Sequence, residues 1–451
     1  MKPNYSNRKR TKKRYLDQIE DYFRKNSTGT ADYRLGVEFE FFIIKNSTTK
    51  AVTYFESEGI NDIFKEMAGN GWNICDKAGE DQILGLRKNG DEINLEPGGQ
   101  LEYSFAPKES LQEIDGIFKN FCREIFPLLN ARDYSLISLG YQPVTVIEEL
   151  PLLPKKRYKH MYNYFADKGK WAHNMMKGSA ALQVSIDYSS EADFRDKFAA
   201  AAWLTPVIYA VFDNSPFMEG RPASFWGVRS QIWRNCDDDR SGLPPGCLRD
   251  DFSFRDYARF ILELPAIFDP EDDSFTGDKA FWEILTREEM AEELIQHMFT
   301  MAFTDVRAKN YLELRMADSL PYPLCLGYIS FIKGLFYREE NLQFLKDIAR
   351  ETGRERIESA LAGIPLQGVE LEYSRGKSIK NWQQELFSRA RKGLNDRELK
   401  NLDRLEGFLR KYLPPRTAFQ NGGQKNDEEI FSLQIEDLDY CNLNALMRGR
   451  L

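Results

Sequence analysis

Histidine, cysteine and long apolar runs are the scarce features of this sequence. Of 451 residues three are histidine (His160, His173, His297), none at the i, i+4 spacing that aims two imidazoles at one ion, so a histidine-based metal centre is not expected. The six cysteines (Cys75, Cys122, Cys236, Cys247, Cys325, Cys441) lie far apart without a C-x-x-C pair, which argues against a disulfide framework and against a zinc site. The longest apolar run, Phe198 to Phe212, stops at Asp213 and contains Pro206, so no membrane span is expected. No apolar stretch follows the charged start Met1-Lys2-Pro3, which excludes a secretory leader and leaves the cytoplasm as the default compartment. Basic excess is absent as well: 62 Lys+Arg stand against 70 Asp+Glu, a net charge of -8, so nucleic acid is not an expected partner. Neither G-x-x-x-x-G-K-[ST] nor a G-x-G-x-x-G opening a helix occurs, and a nucleotide would have to be held without those loops. Chemistry here must run on carboxylates, arginines and lysines.

What is present is enough apolar material, 42% of residues with 13% aromatic, for a substantial packed core. Residues 2 to 14 are locally basic, with no acid before Asp17, and read as a solvated tail, or alternatively as a polyanion-binding arm. From Arg34 onward short period-2 runs alternate with turn-rich stretches. Helical periodicity recurs at 111 to 129, 191 to 212 and 282 to 301, then dominates from about 328 to 412. The order is α+β, not βαβ. After the tail the chain, 15 to 451, reads as a single catalytic domain with a helix-rich C-terminal part. Pro414 to Gly423 reads as a loop before a short final element.

Four strands share one pattern. The strand period of two sets Val37, Phe39 and Phe41 on one side and Glu38 and Glu40 on the other. A Pro97-Gly98-Gly99 bend separates Glu96 from a strand in which Gln100 and Glu102 oppose Leu101 and Tyr103. Gln183, Ser185 and Asp187 oppose Leu182, Val184 and Ile186; Glu313 and Arg315 share a face opposite Leu312 and Leu314. Each strand alone is also what an antiparallel sheet with one wet face would show. If the acids converge, each pair near about 4 Å would repel by about 4 kcal/mol at an effective dielectric of about 20, and only cations make that tolerable. Oxygen donors without His or Cys select hard ions, and Mg²⁺ bridging to phosphate is the leading use of such a cluster.

These residues resemble a known family. Gly36-Val37-Glu38-Phe39-Glu40 is similar to the G-x-E-x-E strand of glutamate–cysteine ligases of the plant and proteobacterial type, and Glu96-Pro97-Gly98-Gly99-Gln100-Leu101-Glu102 to their E-P-G-G-Q-x-E signature. Asn214-Ser215-Pro216-Phe217, Arg229-Ser230-x-Ile232-Trp233, Asp239-Arg240-x-Gly242 and Val306-Arg307-x-Lys309-x-Tyr311-Leu312-Glu313-x-Arg315 follow in the family's order. The resemblance implies an antiparallel sheet curved into a cradle, related to glutamine synthetase, with surrounding helices. It implies ligation of L-glutamate through its γ-carboxylate to the amine of L-cysteine, driven by ATP as co-substrate with two or three Mg²⁺ ions as cofactor. By the same resemblance Glu38, Glu40, Glu96, Glu102 and Glu313 are the expected metal ligands. Arg315 and Arg229 are the expected catalytic and substrate-holding arginines, Gln183 binds an amino-acid substrate, and Arg240, Arg307 and Lys309 meet ATP phosphates. Two departures bear on the acceptor amine: Phe105 stands where the family has Gly, and Ser185 where it has Asn. A ligase of the same fold using another amine, and a non-catalytic amino-acid or nucleotide sensor, are the alternatives; oligomeric state is left open.

Overall fold

The computed structural model describes residues 5–419 and 441–446. Its centre is one antiparallel sheet of nine strands, numbered here in chain order: β1 (Leu35–Lys45), β2 (Asn73–Ala78), β3 (Gln82–Lys88), β4 (Asp91–Leu95), β5 (Leu101–Phe105), β6 (Tyr134–Ile137), β7 (Leu182–Ile186), β8 (Val306–Ala308) and β9 (Leu312–Leu314). Their order across the sheet is β8-β9-β7-β1-β5-β4-β3-β2, and β6 pairs with the far half of β1. Strands distant in sequence thus become neighbours: β1 is flanked by β5 and β7, and β9 by β7 and β8.

The apolar residues picked out by the two-residue period face one layer of helices. Val37, Phe39, Phe41, Leu101, Tyr103, Leu182, Val184, Leu312 and Leu314 are all buried. The helix Leu111–Asn130 presents Ile114, Phe118, Phe121 and Ile125 to them, a helical stripe. Phe118 lies 4.7 Å from the Phe39 ring and Phe121 stacks on Tyr103 at 4.1 Å. That helix starts where it does because Ser110 and Glu113 satisfy each other's backbone N–H in a capping box.

The helices expected at 111 to 129 and 191 to 212 are Leu111–Asn130 and Glu191–Val211, and the helix-rich region runs as Leu324–Phe336, Glu339–Gln367, Ile379–Ala390 and Asp396–Lys411. The stretch 282 to 301 is broken into Phe281–Ile284 and Glu292–Thr300. Between them the backbone is captured by the first helix: Tyr15 donates to the Leu285 and Arg287 carbonyls, and Gln18 bonds Glu288 O and Met290 N. That first helix spans Tyr5–Lys25, so it begins within the stretch read as a tail, and it buries Tyr15, Ile19 and Phe23. Pro415–Ala418 form a short 3-10 turn, and 420–423 of the expected loop lie outside the described residues. Among the described residues no helix is long and apolar enough to cross a membrane.

Candidate active site

The polar face of the sheet forms the floor of a cavity of about 400 Å³, whose lining includes Glu38, Glu40, Glu96, Glu102, Gln183, Arg307, Lys309 and Arg315. Register explains the convergence. Glu40 sits directly opposite Glu102 on β5, Glu38 opposite Gln183 on β7, and Glu313 opposite both Ser185 on β7 and Arg307 on β8. Across the floor stands an apolar wall of Met161, Met175, Met176, Trp233, Met301 and Phe303.

The bend that carries Glu96 is fixed by its own signature residues. Gly99 has φ +89, and a Cβ on Gly98 would lie 2.4 Å from the carbonyl oxygen of Lys177, so the close approach requires glycine. Gln100 is buried: its Oε1 accepts from Gly98 N, and its Nε2 donates to the Met176 and Ser179 carbonyls, tying the bend to the helix Ala172–Gly178. Tyr158 donates to Leu95 O at 2.8 Å and holds the end of β4.

One half of the floor is acidic. The carboxylates of Glu38, Glu96 and Glu102 make no hydrogen bond or ion pair among the described residues. Glu40 is held by Ala181 N at 2.8 Å and by Gln183 Nε2 at 2.5 Å. Burial first, and then the charges of Glu38, Glu96 and Glu40, push Glu102 well above the usual carboxylate range. Burial and the neighbouring Glu96 raise Glu40 to about 7. Burial and Glu313 also raise Glu38.

The other half is cationic. Glu313 is wholly buried and meets Arg307 Nε at 2.7 Å, Arg315 Nη1 at 2.9 Å and Lys309 Nζ at 3.1 Å. Burial opposes its ionisation, but the three cations outweigh it and hold the carboxyl well below its usual range. Between the halves lies Gln183, whose Oε1 accepts from Arg315 while its Nε2 donates to Glu40.

Three of the expected placements need correction. Glu313, expected as a metal ligand, is not part of the cavity lining: it lies buried beneath Arg307, Lys309 and Arg315 as counter-charge to the three cations. Arg240 does not reach the cavity: it is fully buried, with its N–H groups on Asp237, Met301 O, Tyr164 and Pro265 O. Arg229 is also buried, and bonds the carbonyls of Arg315, Met316 and Ala317 beside Asp318, so it braces the strand end instead of facing substrate. Asp187, on the polar side of β7, accepts from Arg34 N and caps the strand. In each case the strand or motif position was read without the element packed above it. Phe105 points to the core face, near Tyr103 and Phe39, so the Gly-to-Phe departure is a packing change; Ser185 stays on the polar face.

Residues not singled out from the sequence complete the cavity. Glu92 and Asn94 continue the Glu96 stripe back along β4, a signal readable from the same period. Lys155 and Arg157 reach the rim from a helical segment whose position nothing local announces.

The acidic half fits a hard cation. Its donors are all oxygen, three of the carboxylates lack a protein partner among the described residues, and burial together with neighbouring carboxylates raises the proton affinity of Glu38 and Glu102, which an ion would offset as a proton does. As the side chains stand, no three His, Cys, Asp or Glu among the described residues close up into a metal-binding group.

Residues 34–362 match the profile of a family described as glutamate–cysteine ligase family 2 (GCS2). The chain is 31% identical over 394 residues to the chloroplastic glutamate–cysteine ligase B of Oryza sativa subsp. japonica, spanning 84% of this chain and 76% of that one. It is 32% identical over 390 residues to the chloroplastic glutamate–cysteine ligase of Arabidopsis thaliana, 84% and 72% respectively. In fold it resembles the glutamate–cysteine ligase of Francisella tularensis solved in complex with AMP, with a TM-score of 0.57 at 11% identity, over 92% of this chain and 89% of that one. The cytoplasmic expectation is overturned by the plant relatives, which are named chloroplastic.

Proposed function

The chain belongs to glutamate–cysteine ligase family 2, and from that premise we propose that its cradle joins the γ-carboxylate of L-glutamate to the amine of L-cysteine, with ATP as co-substrate and Mg²⁺ as cofactor. It is a ligase. The observation that carries the reading is the divided floor: three unpartnered carboxylates stand beside a cluster of Arg307, Lys309 and Arg315 within one cavity. Glu38, Glu96, Glu102 and, with fewer free lone pairs, Glu40 hold the metal; residues from 15 onward act as one catalytic unit.

The reaction has two displacements. A γ-carboxylate oxygen attacks the terminal phosphorus of ATP, forming an O–P bond as the bond to the ADP oxygen breaks. The amine nitrogen then attacks the carbonyl carbon of the γ-glutamyl phosphate, forming the C–N bond as phosphate leaves and the amine loses a proton. Both steps depend on alignment and charge neutralisation, not on a protein nucleophile. Mg²⁺, when bound, neutralises phosphate oxygens. The Arg307 guanidinium, anchored through Nε, keeps its other N–H groups for anionic oxygens, and Lys309 adds a point charge beside it. Gln183 sets the angle of Arg315. The methionine and tryptophan wall keeps water from the acyl phosphate.

The test is phosphate release with glutamate, ATP and Mg²⁺ across a panel of amines. Cysteine is expected to give the highest kcat/KM, with γ-glutamylcysteine as product. Equal rates with other amines would remove the cysteine assignment and favour a sister ligase whose acceptor is selected on the Ser185 side of the cradle.

A further inference from the structure

A second cavity, of about 910 Å³, lies on the helical side of the sheet and shares no lining residue with the catalytic one. It opens between the helices Leu111–Asn130 and Asp396–Lys411, against the start of Leu324–Phe336. Four cations and two acids line it: Lys119, Arg397, Lys400 and Arg404 against Asp115 and Glu398. Both acids are already neutralised. Asp115 accepts from Lys119 Nζ at 2.8 Å and from the Tyr322 hydroxyl at 3.0 Å, and Glu398 accepts at 2.6 Å from Lys333 Nζ, which lies outside the lining. Arg397, Lys400 and Arg404 are left over, on one face of one helix at i, i+3 and i+7. Arg397 donates to the Gln112 side chain, whereas Lys400 and Arg404 are exposed and make no hydrogen bond or ion pair among the described residues. Two further acids of that helix, Asp403 and Glu406, are committed to Arg391 and Arg410.

Such an arrangement works against its own helix. Lys400 and Arg404 are like charges at i, i+4, which repel, and Arg397 in the first turn opposes the helix dipole. An anion in the cavity would relieve both. The lining also carries Leu111, Leu324, Leu326 and Phe408, so the cations stand beside apolar side chains. Its volume falls in the range of sites for organic molecules, about 300–1,000 Å³, and far exceeds what a bare ion fills. We propose that this cavity binds a small organic phosphate, its phosphate on Lys400 and Arg404 and its apolar body against Leu324, Leu326 and Phe408. A phosphate monoester carries about two negative charges near neutral pH, where a carboxylate carries one, and so matches two unpaired cations. The site adds to the ligase reading and does not depend on it.

Equilibrium dialysis of the full chain against phenyl phosphate, inorganic phosphate and benzoate tests the site. Phenyl phosphate joins both parts of the proposed ligand; inorganic phosphate has the charge alone, and benzoate a ring with a single charge. Wild type is expected to bind phenyl phosphate at least about tenfold more tightly than either of the others. Lys400→Ala and Arg404→Ala should each weaken that binding by about tenfold, the loss of one charge-assisted hydrogen bond, with phosphate release at the wild-type rate. Neither side chain has a partner in the fold to lose, so both variants should fold, and circular dichroism checks this. Arg307→Ala, altered in the catalytic cavity, should bind phenyl phosphate as wild type does. Binding that survives both the Lys400 and the Arg404 substitution, or that is lost with Arg307→Ala instead, puts the ligand elsewhere and overturns the proposal. Absence of binding by wild type overturns it too, and benzoate held as tightly as phenyl phosphate overturns the choice of phosphate.

Discussion

Glu102 on β5 and Glu313 on β9 occupy the polar face of one sheet, and their surroundings drive them in opposite directions. Burial and three neighbouring carboxylates push Glu102 up; three cations overcome burial and hold Glu313 down. The same residue type, selected by the same strand period, is a candidate cation ligand in one half of the cradle and a counter-ion in the other. The partners across the strands make the difference: β5 lies beside β1 and β4, which bring Glu38, Glu40 and Glu96, whereas β9 lies beside β8, which brings Arg307. A sheet face with acids at one end and cations at the other can receive a nucleotide with its metal in a single orientation.

Removing a carboxylate from the acidic half should have the largest effect. Glu96→Gln or Glu38→Gln is expected to lower Mg²⁺-dependent phosphate release by more than about 10³-fold, with circular dichroism and melting unimpaired. Wild-type-like turnover in either would take the metal away from this half.

A stability comparison sharpens the contrast further. Glu313→Gln leaves the buried Arg307 and the partly buried Lys309 and Arg315 without their counter-charge and should destabilise by about 3–5 kcal/mol in urea titration. Glu102→Gln, measured without metal, relieves repulsion and should raise the urea midpoint. If both substitutions move the midpoint the same way, the two halves are not electrically opposed.

The smallest expected effect is in pH dependence. Folding raises Glu40 from an ordinary 4.5 to about 7, and raises Glu38 and Glu102 in the same direction. Between those values the folded metal-free protein binds more protons than the unfolded chain. Its stability should therefore fall as pH rises through that window, by up to about 1.4 kcal/mol per unit for each group. Glu313 works the other way, and its stabilisation is lost only on the acid side, below the usual carboxylate range. Urea midpoints at several pH values in chelator should show the slope, and saturating Mg²⁺ should flatten it.

Much of this was legible one strand at a time. Glu38, Glu40, Glu102, Gln183 and Arg315 were assigned to a polar face by alternation alone, and all five line the cavity, as does Glu96 across the Pro97-Gly98-Gly99 bend. The same alternation could not tell Glu313 from Glu102, because charge environment depends on neighbours up to hundreds of residues away in sequence. Arg229 and Arg240 stood in well-matched motifs, yet both point into packed interior, where their N–H groups hold backbone carbonyls.

Alternation and turn chemistry, written into the sequence, determined which side of each strand is polar and where the Pro97-Gly98-Gly99 bend falls, since both depend on bonds and sterics within a few residues. The order in which strands lie side by side is a matter of long-range pairing. That order decided which carboxylates repel, which are neutralised, and which arginines open onto substrate, because electrostatic interaction depends on distance in space and on burial, not on separation along the chain.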